Sequence, residues 1–179
     1  PKRCGHLTGK ILIKTSEMVG KINAALDVRK SEETLIVART DAISVEGLSE
    51  AIERAQRYCD AGADIIFVEA PSSIDDMSLI VESLAPRVPL LANMVEGGQT
   101  PLLTADKLKK IGYKLVIFPG GLVRAQTYLT QRYLTQLLRD GSTINMLDNM
   151  VDFQKLNEII GTKELLTLGA KYDPLKGDE

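Results

Sequence analysis

Long apolar runs are absent from this sequence: none approaches the roughly 20 residues that span a bilayer, and its start shows no charged segment leading into an apolar one. A membrane is not an expected partner. A basic block is absent too, since 22 Lys and Arg against 24 Asp and Glu leave a net charge of -2 with both signs spread along the chain. Charge therefore gives nucleic acid no footing. Cysteine is scarce: Cys4 and Cys59, in unlike surroundings, make no disulfide framework and point to a reducing, cytoplasmic setting. An initiating Met is missing, and the chain runs from Pro1 straight into Lys2-Arg3-Cys4-Gly5-His6, which reads as a piece of something longer. What is present, 44% apolar and 26% charged residues with 14 Gly and 7 Pro, excludes disorder and collagen-like repeats. An enzyme or a binding protein remains.

Short apolar runs alternate with amphipathic segments four times. Thr34 to Ala38 reads as a buried strand ending on Arg39-Thr40-Asp41. Leu48, Ala51, Ile52, Ala55 and Tyr58 then fall at helical spacing, opposite Glu50, Glu53, Arg54 and Arg57, and the helix stops at Ala61-Gly62. Ile65 to Val68 is a second strand, ending on Glu69. Ser73 to Leu84 is a helix with Asp75 and Asp76 in its first turn, where the helix dipole favours them. Pro89 to Ala92 is a third strand, ending on Asn93; Thr104 caps a helix over Ala105 to Ile111, and Gly112 stops it. Lys114 to Phe118 is a fourth strand before Pro119-Gly120-Gly121. Helix is expected from Leu122 through Arg139, then over Met146 to Ile160 and Lys163 to Ala170, with a frayed polar tail.

Successive strand ends are separated by about one strand, one helix and two short loops, so the chain is a string of βα units with a parallel sheet covered on both faces. Polar or Gly-rich residues follow every strand at once. Chemistry gathered at the C-terminal end of each strand is what a (β/α)8 barrel of the TIM type produces, whereas an open sheet concentrates it at one switch point. The α/β class and the barrel are therefore expected, with residues 1–141 as a barrel portion and 142–179 as a C-terminal helical segment.

Cys4 stands among two cations and an imidazole, which lower a thiol pKa and make it a better acid at neutral pH. The plainer alternative makes Cys4 a small packed residue and His6 a loop donor. Cys59, inside an amphipathic helix, reads as packing. Arg39 and Glu69 are charges at the ends of apolar strands, where a ligand, a metal or a mutual ion pair must offset the cost. Asn93, followed by Glu96, Gly97 and Gly98, offers amide and backbone N–H groups suited to a carboxylate, or is simply a turn. Gly120 and Gly121 could cradle an anion at a helix start.

In this order the motifs resemble the isocitrate lyase and phosphoenolpyruvate mutase superfamily: K-R-C-G-H at Lys2 to His6, A-R-T-D-A at Ala38 to Ala42, A-G-A-D at Ala61 to Asp64, V-E-A at Val68 to Ala70, and L-A-N-M-V-E-G-G at Leu91 to Gly98. The likeness runs from Lys2 to about Gly161. The K-R-C-G-H form is similar to the carbon–carbon lyase branch, which includes 2-methylisocitrate and 2,3-dimethylmalate lyases and relatives that hydrolyse or decarboxylate oxaloacetate. That resemblance implies a Mg2+- or Mn2+-dependent cleavage of a small 2-hydroxy carboxylate to a 2-oxo acid and a second carboxylate. It makes Cys4 the general acid, with His6 and Glu69 also catalytic. It assigns substrate contacts to Lys2, Cys4, Gly5, Arg39, Glu69, Asn93 and Arg124, and gives Glu69 a water-mediated place at the metal. It also implies a homotetramer, a dimer of dimers in which the C-terminal helices exchange between subunits. A non-catalytic relative that keeps the barrel mouth is the alternative from outside enzymology.

Two departures qualify the likeness. The 2-methylisocitrate branch carries an extra arginine where Phe153 stands, which favours a dicarboxylate over a tricarboxylate. The acidic metal motif and the Ser-Gly-Gly substrate loop of the early strands are not in this sequence. Against the roughly 250 residues of a typical barrel, the chain reads as about two-thirds of one, entered at the cysteine loop, with the metal-holding half preceding Pro1.

Overall fold

In the computed structural model, residues 9–172 are described, and the chain divides into two compact units, Pro1–Val123 and Arg124–Glu179. The first unit opens with helix α1 (Thr15–Asp27), followed by β1 (Val37–Thr40), the one-turn α2 (Ile43–Glu46), α3 (Leu48–Asp60), β2 (Ile65–Val68), α4 (Ile74–Leu84), β3 (Leu91–Asn93), α5 (Ala105–Ile111) and β4 (Leu115–Ile117). Helix α6 (Gly121–Asp140) leads into the second unit, which continues through a 3-10 turn (Ile144–Asn149), α7 (Phe153–Ile159) and α8 (Thr162–Ala170).

The strands are parallel throughout. β1 pairs with β2 in the register Arg39 to Phe67, β3 pairs with β4 in the register Asn93 to Ile117, and a parallel bridge between Ile66 and Leu90 joins the two pairs. Alternation along each strand sends side chains to opposite faces. Ala38, Ile66, Val68 and Ala92 point toward the helices and form the main core with Ile22, Ala55, Tyr58, Met77, Ile80 and Leu84. Ile65, Phe67 and Leu91 form a separate small cluster on the other face. Strand β2 is buried along its whole length, as expected for a strand covered on both sides, whereas β1 is exposed at alternate residues and β4 is at most half-buried. Coverage of both faces therefore holds in the centre and fails at β1 and β4, each of which has a strand neighbour on one side only among the described residues.

Local signals explain the helices. On α3, Ala51, Ile52, Ala55 and Tyr58 are buried and the charges face out. The Ser73 hydroxyl accepts from the Asp76 N–H at 3.0 Å to cap α4, and the Thr104 hydroxyl accepts from the Lys107 N–H at 3.3 Å to cap α5. Gly112, which ends α5, has φ +128°, and a Cβ there would lie 2.5 Å from Val81 Cγ1, so both backbone and packing demand glycine. The helix expected over Met146 to Ile160 is instead broken: the chain leaves the 3-10 turn, becomes extended at Met150, and restarts where Asp152 accepts from the Lys155 N–H at 2.8 Å. A cap inside the apolar pattern overrides its periodicity. Helix α1 was not anticipated from the sequence; Ile22 is its one fully buried side chain.

In the second unit, Asp140 closes α6. Its carboxylate accepts from Arg139 Nε at 2.7 Å, Gln136 Nε2 at 2.6 Å and Asn145 Nδ2 at 3.1 Å, and these bonds, Arg139's first, pull its pKa down to about 2. The stripe of Phe153, Leu156, Ile159 and Ile160 is exposed, with Phe153 at 86%. No described helix is long and apolar enough to cross a membrane.

Candidate active site

Three of the residues singled out at strand ends come together. Glu69 directly follows β2, and its carboxylate is fully buried. Glu69 Oε2 lies 3.0 Å from Arg39 Nη2 at the end of β1, and Asn93 Nδ2, on β3, stands 3.3 Å from each Glu69 oxygen. Parallel pairing of adjacent strands brings their C-terminal ends to one level, and the alternation that points Phe67 and Leu91 away from the helices also sets Arg39 and Asn93 on that face.

Arg39 is held on several sides. Its Nε and Nη2 donate to Asp41 Oδ1 at 3.1 and 2.9 Å, and the guanidinium carbon lies 4.9 Å from the centroid of the Phe67 ring, within cation–π range. Nη1 keeps no partner among the described residues. The mutual ion pair is thus the compensation the chain supplies for two charges at strand ends, and it leaves a planar, rigidly held cation at the sheet's edge. Asp41 and Phe67 were not singled out in the sequence; Asp41, two residues after Arg39, carried a readable signal, whereas Phe67 was hidden in an apolar run.

The backbone around Glu69 is unusual. Ala70 has φ +61°, the left-handed region, where a Cβ costs about 1 kcal/mol, and it is buried at 2% exposure. Glu69 N–H donates to the Thr40 carbonyl at 2.9 Å, extending the β1–β2 ladder one residue past the strand, and the chain then turns sharply at Ala70 into Pro71. No composition signal announces such a turn.

Beyond Asn93, the Gly98 N–H donates to the Val95 carbonyl at 2.9 Å, with Gly97 at φ +73°, so the Glu96-Gly97-Gly98 stretch is a turn. The Glu96 carboxylate packs against the start of α6, where a Cβ at Gly121 would meet Glu96 Oε1 at 2.9 Å.

Lys2, Cys4, Gly5 and His6 lie outside the described residues. Arg124 stands near the start of α6 and belongs to the second unit; the Arg39–Glu69–Asn93 cluster is complete within the first. Cys59 is half-buried on α3, and burial pushes its thiol pKa up, in keeping with a packing role. Among the described residues no three acidic, histidine or cysteine side chains gather to hold a metal ion.

The phosphoenolpyruvate phosphomutase family matches residues 4–138. A 2,3-dimethylmalate lyase of Eubacterium barkeri is 40% identical over 96% of this chain and 59% of its own length. A 2-methylisocitrate lyase of Aeropyrum pernix is 44% identical over 90% of this chain and 51% of its own. The chain thus spans between half and three-fifths of these relatives. Among solved structures, a 2,3-dimethylmalate lyase of the same superfamily superposes with a TM-score of 0.86 at 34% identity, covering 99% of this chain and 58% of that one. An oxaloacetate acetylhydrolase bound to 3,3-difluorooxalacetate gives 0.85 at 30% identity, over 96% and 57%. A phosphonopyruvate hydrolase complexed with oxalate and Mg2+ gives 0.77 at 27% identity, over 90% and 57%. With its strand-end cluster and parallel βα order, the chain belongs to the phosphoenolpyruvate mutase/isocitrate lyase superfamily and carries the C-terminal portion of that TIM-type barrel.

Proposed function

We propose that this chain forms part of a carbon–carbon lyase that cleaves a small 2-hydroxy carboxylate to a 2-oxo acid and a second carboxylate. The observation that carries this reading is the buried Glu69 carboxylate bridged by Arg39 and Asn93 at the ends of three neighbouring parallel strands. Such a cluster holds a fixed cation and an amide at neighbouring strand ends, groups suited to a dicarboxylate. The 2,3-dimethylmalate and 2-methylisocitrate lyases among the relatives support the reaction class.

In this reading the hydroxyl of the substrate passes its proton through water to the Glu69 carboxylate as the adjacent carbon–carbon bond breaks. The hydroxyl carbon becomes the carbonyl of the 2-oxo acid, and the bonding electrons stay on the departing fragment as an enolate. Cys4 protonates that carbanionic fragment; a thiol with a pKa near working pH suits the task. His6 tunes the thiol; Lys2, the Gly5 N–H and Arg124 contact substrate; Arg39 clamps one carboxylate and Asn93 the other. Glu69 faces the substrate hydroxyl while fixing Arg39 and Asn93.

A divalent cation, Mg2+ or Mn2+, belongs to the proposal, supported by the Mg2+–oxalate complex of the phosphonopyruvate hydrolase. The described residues do not build its site: no donor cluster exists among them, and both Glu69 oxygens are within 3.3 Å of Asn93 while Oε2 also pairs with Arg39. Glu69 would therefore meet a cation only through water. A cytoplasmic homotetramer completes the reading; for its subunit contacts, the support is the exposed stripe of Phe153, Leu156, Ile159 and Ile160, an apolar surface suited to a covering partner.

The test is 2-oxo acid release by the intact protein from 2,3-dimethylmalate, 2-methylisocitrate and oxaloacetate with Mg2+, repeated with Cys4→Ser. Cleavage of a 2-hydroxy acid that falls steeply in the variant is the expected result. Oxaloacetate breakdown at near-normal rates in Cys4→Ser would favour a second reading, oxaloacetate hydrolysis or decarboxylation, which the fold likeness to the acetylhydrolase and Phe153 in place of an arginine support. Turnover of none of them would remove the lyase proposal.

A further inference from the structure

Asp41 has no part in the reaction described above, yet it grips the one residue of the cluster that carries positive charge. Its Oδ1 accepts from Arg39 Nε at 3.1 Å and from Nη2 at 2.9 Å. Residues two apart along an extended segment share a face, which sets Asp41 beside Arg39 just past the end of β1. Phe67 stands opposite Arg39 in the β1–β2 register and meets the guanidinium from a third direction, 4.9 Å from ring centroid to Cζ. The backbone on either side of Asp41 is tied down. The Thr40 hydroxyl accepts from the Ala42 N–H at 3.3 Å, and the Thr40 carbonyl accepts from the Glu69 N–H at 2.9 Å.

A guanidinium offers its N–H groups in fixed directions, so the edge that is taken decides the edge that is left. Asp41 takes the Nε–Nη2 edge. Glu69 Oε2 also lies near Nη2, at 3.0 Å, and Nη1 keeps no partner among the described residues. The Arg39 side chain is 39% exposed and that of Asp41 25%, and a pair so open to water adds little to folding stability. Its effect falls on the orientation of a long side chain that would otherwise rotate. We propose that Asp41 is the positioning residue for Arg39: by holding the Nε–Nη2 edge it keeps Nη1 as the nitrogen that meets a substrate carboxylate.

The consequence concerns a competition inside the cluster. Without Asp41, the guanidinium is free to turn a full edge onto Glu69, and such two-pronged pairing with a carboxylate is the geometry an arginine favours. The cation would then be occupied by the chain's own anion. Asp41 holds it back from that arrangement. This inference rests on the carboxylate-binding reading above.

The experiment measures KM and kcat of the intact protein for the carboxylate it cleaves, in Asp41→Ala, Arg39→Ala and the double variant. Asp41→Asn, which keeps an acceptor oxygen, serves if the alanine variant fails to fold. The expected result is a KM about tenfold higher in Asp41→Ala, the size of one lost bond to a charged group, with kcat little changed and a smaller rise in Asp41→Asn. The double variant should be no worse than Arg39→Ala alone, because Asp41 acts only through Arg39. An unchanged KM in the Asp41 variants, or losses that add in the double variant, overturns the proposal and leaves the lyase reading intact. If the parent cleaves no carboxylate, that reading fails, and crystal structures of the parent and Asp41→Ala still decide the role of Asp41. A guanidinium that turns onto Glu69 in the variant supports it, and one that keeps its parental place overturns it.

Discussion

At the scale of single residues, Glu69 carries the most. Glu69→Gln keeps the shape and an acceptor for Asn93 but removes the charge that pairs with Arg39. Because Arg39 retains Asp41 and is partly exposed, the expected stability loss is modest, about 1–3 kcal/mol in denaturant unfolding. The same change should lower kcat/KM by about 100-fold, as for loss of a preorganised electrostatic contact; steady-state kinetics on the intact protein would show it, and a near-parental value would contradict the assigned role. Cys59 is expected to be inert. With its thiol pKa raised by burial, little thiolate exists at neutral pH, so a Cys4→Ser protein should react slowly with a disulfide reagent until unfolded. Fast labelling of the folded variant would show Cys59 to be accessible. Arg39, Glu69 and Asn93 were readable in the sequence because a polar side chain closing an apolar run must be compensated somewhere. Ala70 was not: a positive φ leaves no trace in an alanine.

At the scale of elements, the Thr104 cap and the Gly112 stop of α5 behave as the sequence predicted, whereas the first strand, expected over Thr34 to Ala38, starts later and runs on through Arg39 as Val37–Thr40. The start of α4 offers a clean pH experiment. Asp76 accepts from the Ser72 N–H at 2.8 Å and the Ser72 hydroxyl at 2.7 Å, and these bonds, led by the hydroxyl, hold its pKa below the ordinary carboxylate value. A group whose folded pKa is lowered stabilises the fold above its unfolded pKa and loses that contribution as pH falls through the folded value. The stability difference between the parent and Ser72→Ala should therefore be present at neutral pH and shrink on acidification below the usual aspartate range, measured as denaturant midpoints across pH. A difference independent of pH would assign the effect to something other than Asp76. The entry to β2 is tied in a comparable way: Asp64 accepts from Arg29 Nη1 and from the Ile36 N–H, both at 2.8 Å. Asp64→Ala should cost about 1–3 kcal/mol through unpaired partners in a half-buried place. The break between the 3-10 turn and α7 was legible only in part, since Asp152 is a capping residue embedded in a pattern whose apolar spacing continues through it.

At the scale of the whole molecule, family membership and the βα order were visible because motif order and strand spacing survive without any coordinates. In the outer strands of this barrel portion, a run of Leu, Val and Ile reads alike whether one face or two are covered. Strands β1 and β4 keep unpaired edges among the described residues, and Leu115, Ile117 and Phe118 are substantially exposed. The 179-residue chain expressed by itself should therefore self-associate, a behaviour typical of open strand edges. Light scattering would detect it, and a stable monomer at high concentration would show the edges to be protected. The order of pairing carries a different consequence. Each strand bonds to the one next in sequence, β1 to β2, β2 through Ile66 to Leu90, and β3 to β4. These four described strands can thus pair one βα unit at a time as they leave the ribosome, each meeting a partner from the neighbouring unit.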